Sequence, residues 1–205
     1  MTKHAVSWIA IFVAVLIWSA IDAKATEIWV LEVAPAVIGA VVLAITRKRF
    51  PLSTLSYVLI LLHCIILMVG GHYTYAEVPL GDWVRDMFDQ TRNNYDKLGH
   101  FAQGFIPAMV AREVVVRLKV FNFVGWRNFF IACFCLAVAA FYELIEWWTA
   151  VLAGESADAF LSLQGYAWDT QADMWTALVG AVTALLLLGR WQDRQLRAAG
   201  FLSQQ

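Results

Sequence analysis

At 205 residues, 61% of them hydrophobic and only 15% charged, the chain is far more apolar than a soluble domain, which is about half apolar and about a quarter charged. With a mean hydropathy of +0.64 it reads as an integral membrane protein, and a formal net charge of −1 gives no electrostatic case for nucleic acid. The length suits about six spans of roughly 20 residues and leaves no room for a separate soluble domain.

The first apolar run covers residues 5–21. Ala23-Lys24-Ala25 resembles a small-residue cleavage site. The run is longer than a usual signal-peptide core and a charge sits inside the site, so an uncleaved first helix is expected. Residues 28–45 form the second span. It contains Glu32, read as a structural residue, and Pro35, tolerated because neighbouring helices can satisfy the freed carbonyl. Residues 53–70 form the third, with His63 read as a packing residue. Residues 71–95 make the longest connection, and Val84 to Thr91 is expected to form a short interfacial helix anchored by Trp83 and Phe88. Residues 98–118, 128–153 and 169–189 complete the set. Near the end of the fourth, the adjacent Arg112 and Glu113 are read as a structural pair, with Arg112 able to snorkel. Glu155 and Asp158, in the loop before the sixth span, are read as solvated. Cys64, Cys133 and Cys135 lie in apolar runs and are read as buried, inert thiols.

Lys and Arg set the orientation. Lys3, Arg47, Lys48, Arg49, Arg112, Arg117, Lys119, Arg127, Arg190, Arg194 and Arg197 fall on the side of the termini, against Lys24, Arg85, Arg92 and Lys97 opposite. The positive-inside rule therefore predicts an all-α, polytopic bundle in a single domain with both termini cytoplasmic. Tryptophans at the expected span ends fit an aromatic belt.

Helical spacing then gathers the ionisable residues. On the fourth span Asp96, His100, Gln103 and Pro107 share a face; on the fifth, Glu143 and Glu146 do; on the sixth, Asp169, Asp173, Thr176, Gly180 and Thr183 do. Charged groups inside a membrane are costly and face a bundle interior or a water-filled cleft. The three stripes are therefore expected to meet in the outer half of the bilayer, with small residues allowing close approach. Carboxylates so crowded cannot all stay anionic in a dry site. Relief comes from Lys97 and Arg92, from protonation, or from a divalent cation held by His100, Glu143 and Asp173, although no paired-histidine motif is present.

Four segments carry a resemblance: Gly71-His72-Tyr73-Thr74-Tyr75-Ala76-Glu77-Val78-Pro79, Asn93 to Gly104, Tyr142-Glu143-Leu144-Ile145-Glu146-Trp147-Trp148, and Trp168 to Met174. They resemble the YjdF-type bacterial inner-membrane family, which implies a six-helix inner-membrane protein without a defined activity. A more distant similarity is to VanZ-like proteins, through Asp96-Lys97-x-x-His100, Glu143 and Asp169 or Asp173. It supports a site without naming a reaction.

The sequence therefore predicts a multi-pass protein of the bacterial inner membrane whose polar pocket faces the periplasm and binds an amphiphilic or lipid-linked small molecule. Asp96, His100, Glu143, Glu146, Asp169 and Asp173 are the candidate catalytic residues, hydrolysing the ligand with water as nucleophile. His72, Tyr73, Lys97 and Gln103 are the candidate pocket residues. A proton-coupled transporter or binding module and a structural membrane protein are the alternative readings.

Overall fold

The computed structural model describes residues 3–153 and 166–202, so the loop acids Glu155 and Asp158 lie outside the described residues. Among these residues there are seven α-helices and no strand. Six are long: α1 (Lys3–Ala20), α2 (Thr26–Thr46), α3 (Thr54–Tyr73), α5 (Tyr95–Arg117), α6 (Val124–Ala153) and α7 (Asp169–Ala198). Each covers one of the six apolar runs read in the sequence. A 3-10 turn (Tyr75–Glu77) and the short α4 (Pro79–Met87) fill the connection between α3 and α5.

Four of the six long helices, α2, α3, α6 and α7, are long and apolar enough to cross a membrane by composition alone. The apolar part of α1 is shorter. The exception of interest is α5, whose 23 residues include Asp96, Lys97, Arg112, Glu113 and Arg117. Its placement explains how they are tolerated. It packs against α3, α6 and most extensively α7, while α1 sits outside, on α3. Large apolar side chains instead stand exposed on the outer helices, such as Ile38 and Ile45 of α2, Phe134 and Phe141 of α6, and Leu186 and Leu187 of α7. A surface of that kind belongs in lipid.

Small residues bring α5 and α7 together. A Cβ on Gly104 would collide with the Ala177 carbonyl, and one on Gly180 with the Phe101 carbonyl. Ala108, Ala177, Ala181 and Ala184 are fully buried along the same seam. Close backbone approach through small residues drives helix association where lipid removes the hydrophobic incentive. The first turns of α5 and α7 carry Asp96 and Asp169, and both helices end on arginines, as the helix dipole favours.

Two expectations are corrected. The short helix spans Pro79–Met87 rather than 84–91, because Pro79 at its first turn is pre-set for a helix start. Trp83 and Phe88 are exposed there, as anchors would be. Cys64 and Cys135 are buried, but Cys133 is exposed on the outer surface of α6. Sequence hydropathy cannot separate a lipid-facing thiol from a core one.

Candidate functional site: a carboxylate and histidine cluster

The three polar stripes do converge, at the end of the bundle opposite the termini. Lys97 of α5 bridges to α7, with Nζ 2.7 Å from Asp169 Oδ1 and 2.6 Å from Asp173 Oδ1. Arg92 reaches the same Asp169 oxygen at 2.6 Å and lies 5.1 Å from the Tyr166 ring centre. These contacts make a paired wall of two acids and two bases.

Beside that wall His100 Nε2 faces acidic oxygens from three helices: Asp96 Oδ1 at 3.5 Å, Glu143 Oε1 at 3.7 Å and Asp173 Oδ1 at 3.8 Å. All three separations exceed a hydrogen bond. His100 Nδ1 lies 3.1 Å from Gln103 Oε1, one turn along α5. Among the described residues Glu143 Oε1 is buried without a hydrogen-bond partner. A buried carboxylate oxygen left unpaired is expensive, so its persistence calls for an explanation.

A cavity of about 170 Å³ opens next to this imidazole, lined by Asp96, His100, Gln103 and Glu146 among the expected residues. Glu32, Tyr75, Tyr142 and His63 line it as well. Glu32, read from sequence as structural, therefore belongs to the site. Its Oε2 accepts a hydrogen bond from the Tyr142 hydroxyl at 3.0 Å. Nothing in a lone Glu within an apolar run shows which way α2 turns it; the only sequence signal was its cost at membrane depth. Pro35 and Pro107 also line the cavity. Each removes the donor that would bond the carbonyl one turn earlier, Leu31 and Gln103 respectively.

The connection from Thr74 to Asn94 holds the site from above. Thr74, at φ 63°, turns the chain so that Tyr75 enters the bundle. Its ring lies against Gly70 and Gly99, where a Cβ would collide with it. Asn93 is fully buried, donating to the Val78 carbonyl at 3.0 Å and to Asp82 at 3.1 Å, and accepting from the Tyr95 backbone N–H at 3.0 Å. It thereby ties α4 to the start of α5.

His72 and Tyr73, expected as pocket residues, are not brought to the cluster. They sit on the last turn of α3 against α1, with His72 Nδ1 3.2 Å from the Ser19 carbonyl and its ring 4.6 Å from that of Trp18. The helix runs one turn further than expected and carries them away. Lys97, Asp169 and Asp173 are brought together as the paired wall, and Glu143 lies behind His100.

Below the polar cavity, a lipid-facing apolar groove of about 690 Å³ runs toward the other end of the bundle. Its walls are α2, α3, α5 and α6, including Val42, Ile60, Val110, Ala111, Phe130 and Phe134. The groove and the cavity share His63 and Pro107.

Residues 4–194 match the family model described as predicted membrane protein (DUF2238). The inner membrane protein YjdF of Escherichia coli (strain K12) is 49% identical over 189 residues, which cover 92% of this chain and 90% of that protein. No solved structure matches this chain.

Proposed function

From the premise that the chain belongs to the DUF2238 family and is a multi-pass protein of the bacterial inner membrane, we propose that it binds a single-tailed amphiphile, head group in the cavity beside His100 and apolar chain in the groove below. The observation that carries this reading is that an acid-lined cavity and an apolar groove are neighbours, with His63 and Pro107 lining both. Carboxylates and proline-freed carbonyls are acceptors, so the head group they suit is rich in donors, such as amines or sugar hydroxyls. From Gln103 to Val115 the groove side of α5 rises about 18 Å, close to one leaflet of hydrocarbon.

The charge distribution supports cytoplasmic termini and a cavity opening toward the periplasm. An impermeant thiol reagent then labels a cysteine placed at Asp89 from the periplasmic side and one placed at Asn122 only after the membrane is opened. The reverse pattern would overturn the orientation.

Purified protein in mild detergent is expected to retain about one amphiphile per chain, identified by mass spectrometry of the extract. Ala111→Phe, which fills the groove, and Gln103→Leu, which removes a polar wall, should each deplete it severalfold. Equal retention in both variants and wild type would refute the reading. Hydrolysis of the bound head group is the second reading, favoured by Glu143 and Glu146 flanking the imidazole with no Ser or Cys side chain among the described residues of the cluster. It requires that Glu143→Gln keep the ligand and lose turnover.

A further inference from the structure

We propose that His100, Glu143 and Glu146 hold a first-row divalent cation between α5 and α6, with the Asp96 carboxylate at its flank. The site shares Asp96, His100 and Glu146 with the lining of the cavity, and the reading does not depend on an amphiphile being bound.

Geometry is the first argument. One ring nitrogen of His100 and one carboxylate oxygen each of Glu143 and Glu146 lie within 4.8 Å of one another. Donors sharing one ion at about 2.0–2.2 Å in a tetrahedral arrangement lie about 3.3–3.6 Å apart. The separations from Nε2 to Asp96 Oδ1 and Glu143 Oε1, 3.5 and 3.7 Å, sit close to that spacing and beyond hydrogen-bond range. The imidazole nitrogen and the acidic oxygens are here held near the distance an intervening cation would set.

The unpartnered Glu143 oxygen is the second argument and is independent of spacing. Its side chain is 7% exposed, and Oε1 points at Nε2 with no donor on it. A cation is the partner that such an oxygen lacks. Gln103 supplies the third. Its Oε1 lies 3.1 Å from Nδ1; in the tautomer that carries its proton on Nδ1, Oε1 accepts that N–H and the Nε2 lone pair faces the acids. Metal-ligating histidines are oriented in this way by an acceptor on the other ring nitrogen.

Asp173 also lies near, 3.8 Å from Nε2, and forms an alternative trio with Asp96 and His100. Its Oδ1, however, already takes Lys97 at 2.6 Å. A cation there would stand next to an ammonium group. The α6 carboxylates avoid that repulsion, which is why the site is assigned to them. One imidazole with carboxylates suits manganese, iron or zinc rather than calcium or a soft thiophilic ion.

The test uses full-length protein in lipid nanodiscs, stripped with chelator and titrated with Co²⁺. A saturable d–d absorption at about one equivalent, displaced by Zn²⁺, is expected. Glu143→Gln and Glu146→Gln should weaken binding at least tenfold, and Gln103→Leu, a positioning change, about tenfold. Electron-spin-echo spectra of bound Mn²⁺ on the wild-type protein should show imidazole nitrogen coupling, so the assignment stands or falls even where a variant does not fold. Absence of a saturable band overturns the proposal, as does Mn²⁺ coupled to no nitrogen, or binding unchanged in well-folded carboxylate variants. In that case His100 is a bare imidazole among acids.

Discussion

Helix α5 carries a charged cluster at each end, built from similar residues and organised differently. Near the termini, Glu113 is fully buried and accepts four hydrogen bonds: from the Ser53 backbone N–H at 2.7 Å, the Ser53 hydroxyl at 2.6 Å, the Ser56 hydroxyl at 2.7 Å and Arg117 at 3.2 Å. Arg112 reaches Gln192 at 2.9 Å and Asp193 at 2.8 Å, and Gln192 returns a donor to the Met109 carbonyl at 2.8 Å. Acids and bases balance there. At the opposite end Glu32, Asp96, Glu143, Glu146, Asp169 and Asp173 outnumber Arg92, Lys97 and His100, and Glu143 keeps an oxygen unpaired. A membrane protein that needed only to pin its helices would repeat the first arrangement. Departure from it at one end is what marks that end as a site.

This contrast can be broken most forcefully at Glu113. Glu113→Ala strands two buried hydroxyls and the Ser53 backbone N–H and takes the carboxylate from Arg117, and should cost about 3–5 kcal/mol, read as a large drop in melting temperature in detergent. A loss below about 1 kcal/mol would remove the structural half of the comparison. Next comes the shared seam. Gly180→Val drives a branched side chain into the Phe101 carbonyl and should cost about 1–3 kcal/mol while loosening both clusters. Lys97→Met leaves Asp169 and Asp173 without their bridging ammonium, an expected loss of about 1–3 kcal/mol by the same assay. The smallest effect belongs to Glu143→Gln. Removing one of several crowded acids should leave stability within about 0.5 kcal/mol of wild type, or above it, while ion retention falls. A strongly destabilised Glu143→Gln would make the two ends alike.

The fold was legible because long apolar runs bounded by arginines and tryptophans leave a helix few alternatives in a membrane. The cluster was legible because α5, α6 and α7 each carry two or more ionisable groups at helical spacing. Other partnerships had no local signature. Arg112 and Glu113, adjacent in sequence, suggested a pair, yet consecutive helical positions point about 100° apart. The structure sends Glu113 to α3 and Arg112 to α7. Glu32 and Tyr142 are 110 positions apart, and nothing in either segment records that α2 and α6 turn them toward one cavity. His72 and Tyr73 misled because they sit inside a shared motif, whose role in packing α3 on α1 is invisible to the motif itself.

The close passage of α5 and α7 also has a consequence for biosynthesis. Charged residues burden translocon insertion, most at the centre of a span and less toward its ends, and α5 carries Asp96 and Lys97 at one end and Arg112, Glu113 and Arg117 at the other. Its countercharges Asp169, Asp173 and Asp193 belong to α7, which is made after α6. The fifth helix therefore depends on a segment synthesised well after it, and must be retained by the insertion machinery, or shielded there by α6, until α7 emerges. A chain stopped after Ala153 should leave it stranded and be degraded quickly in a pulse-chase measurement, whereas supplying α7 as a separate fragment should restore its lifetime.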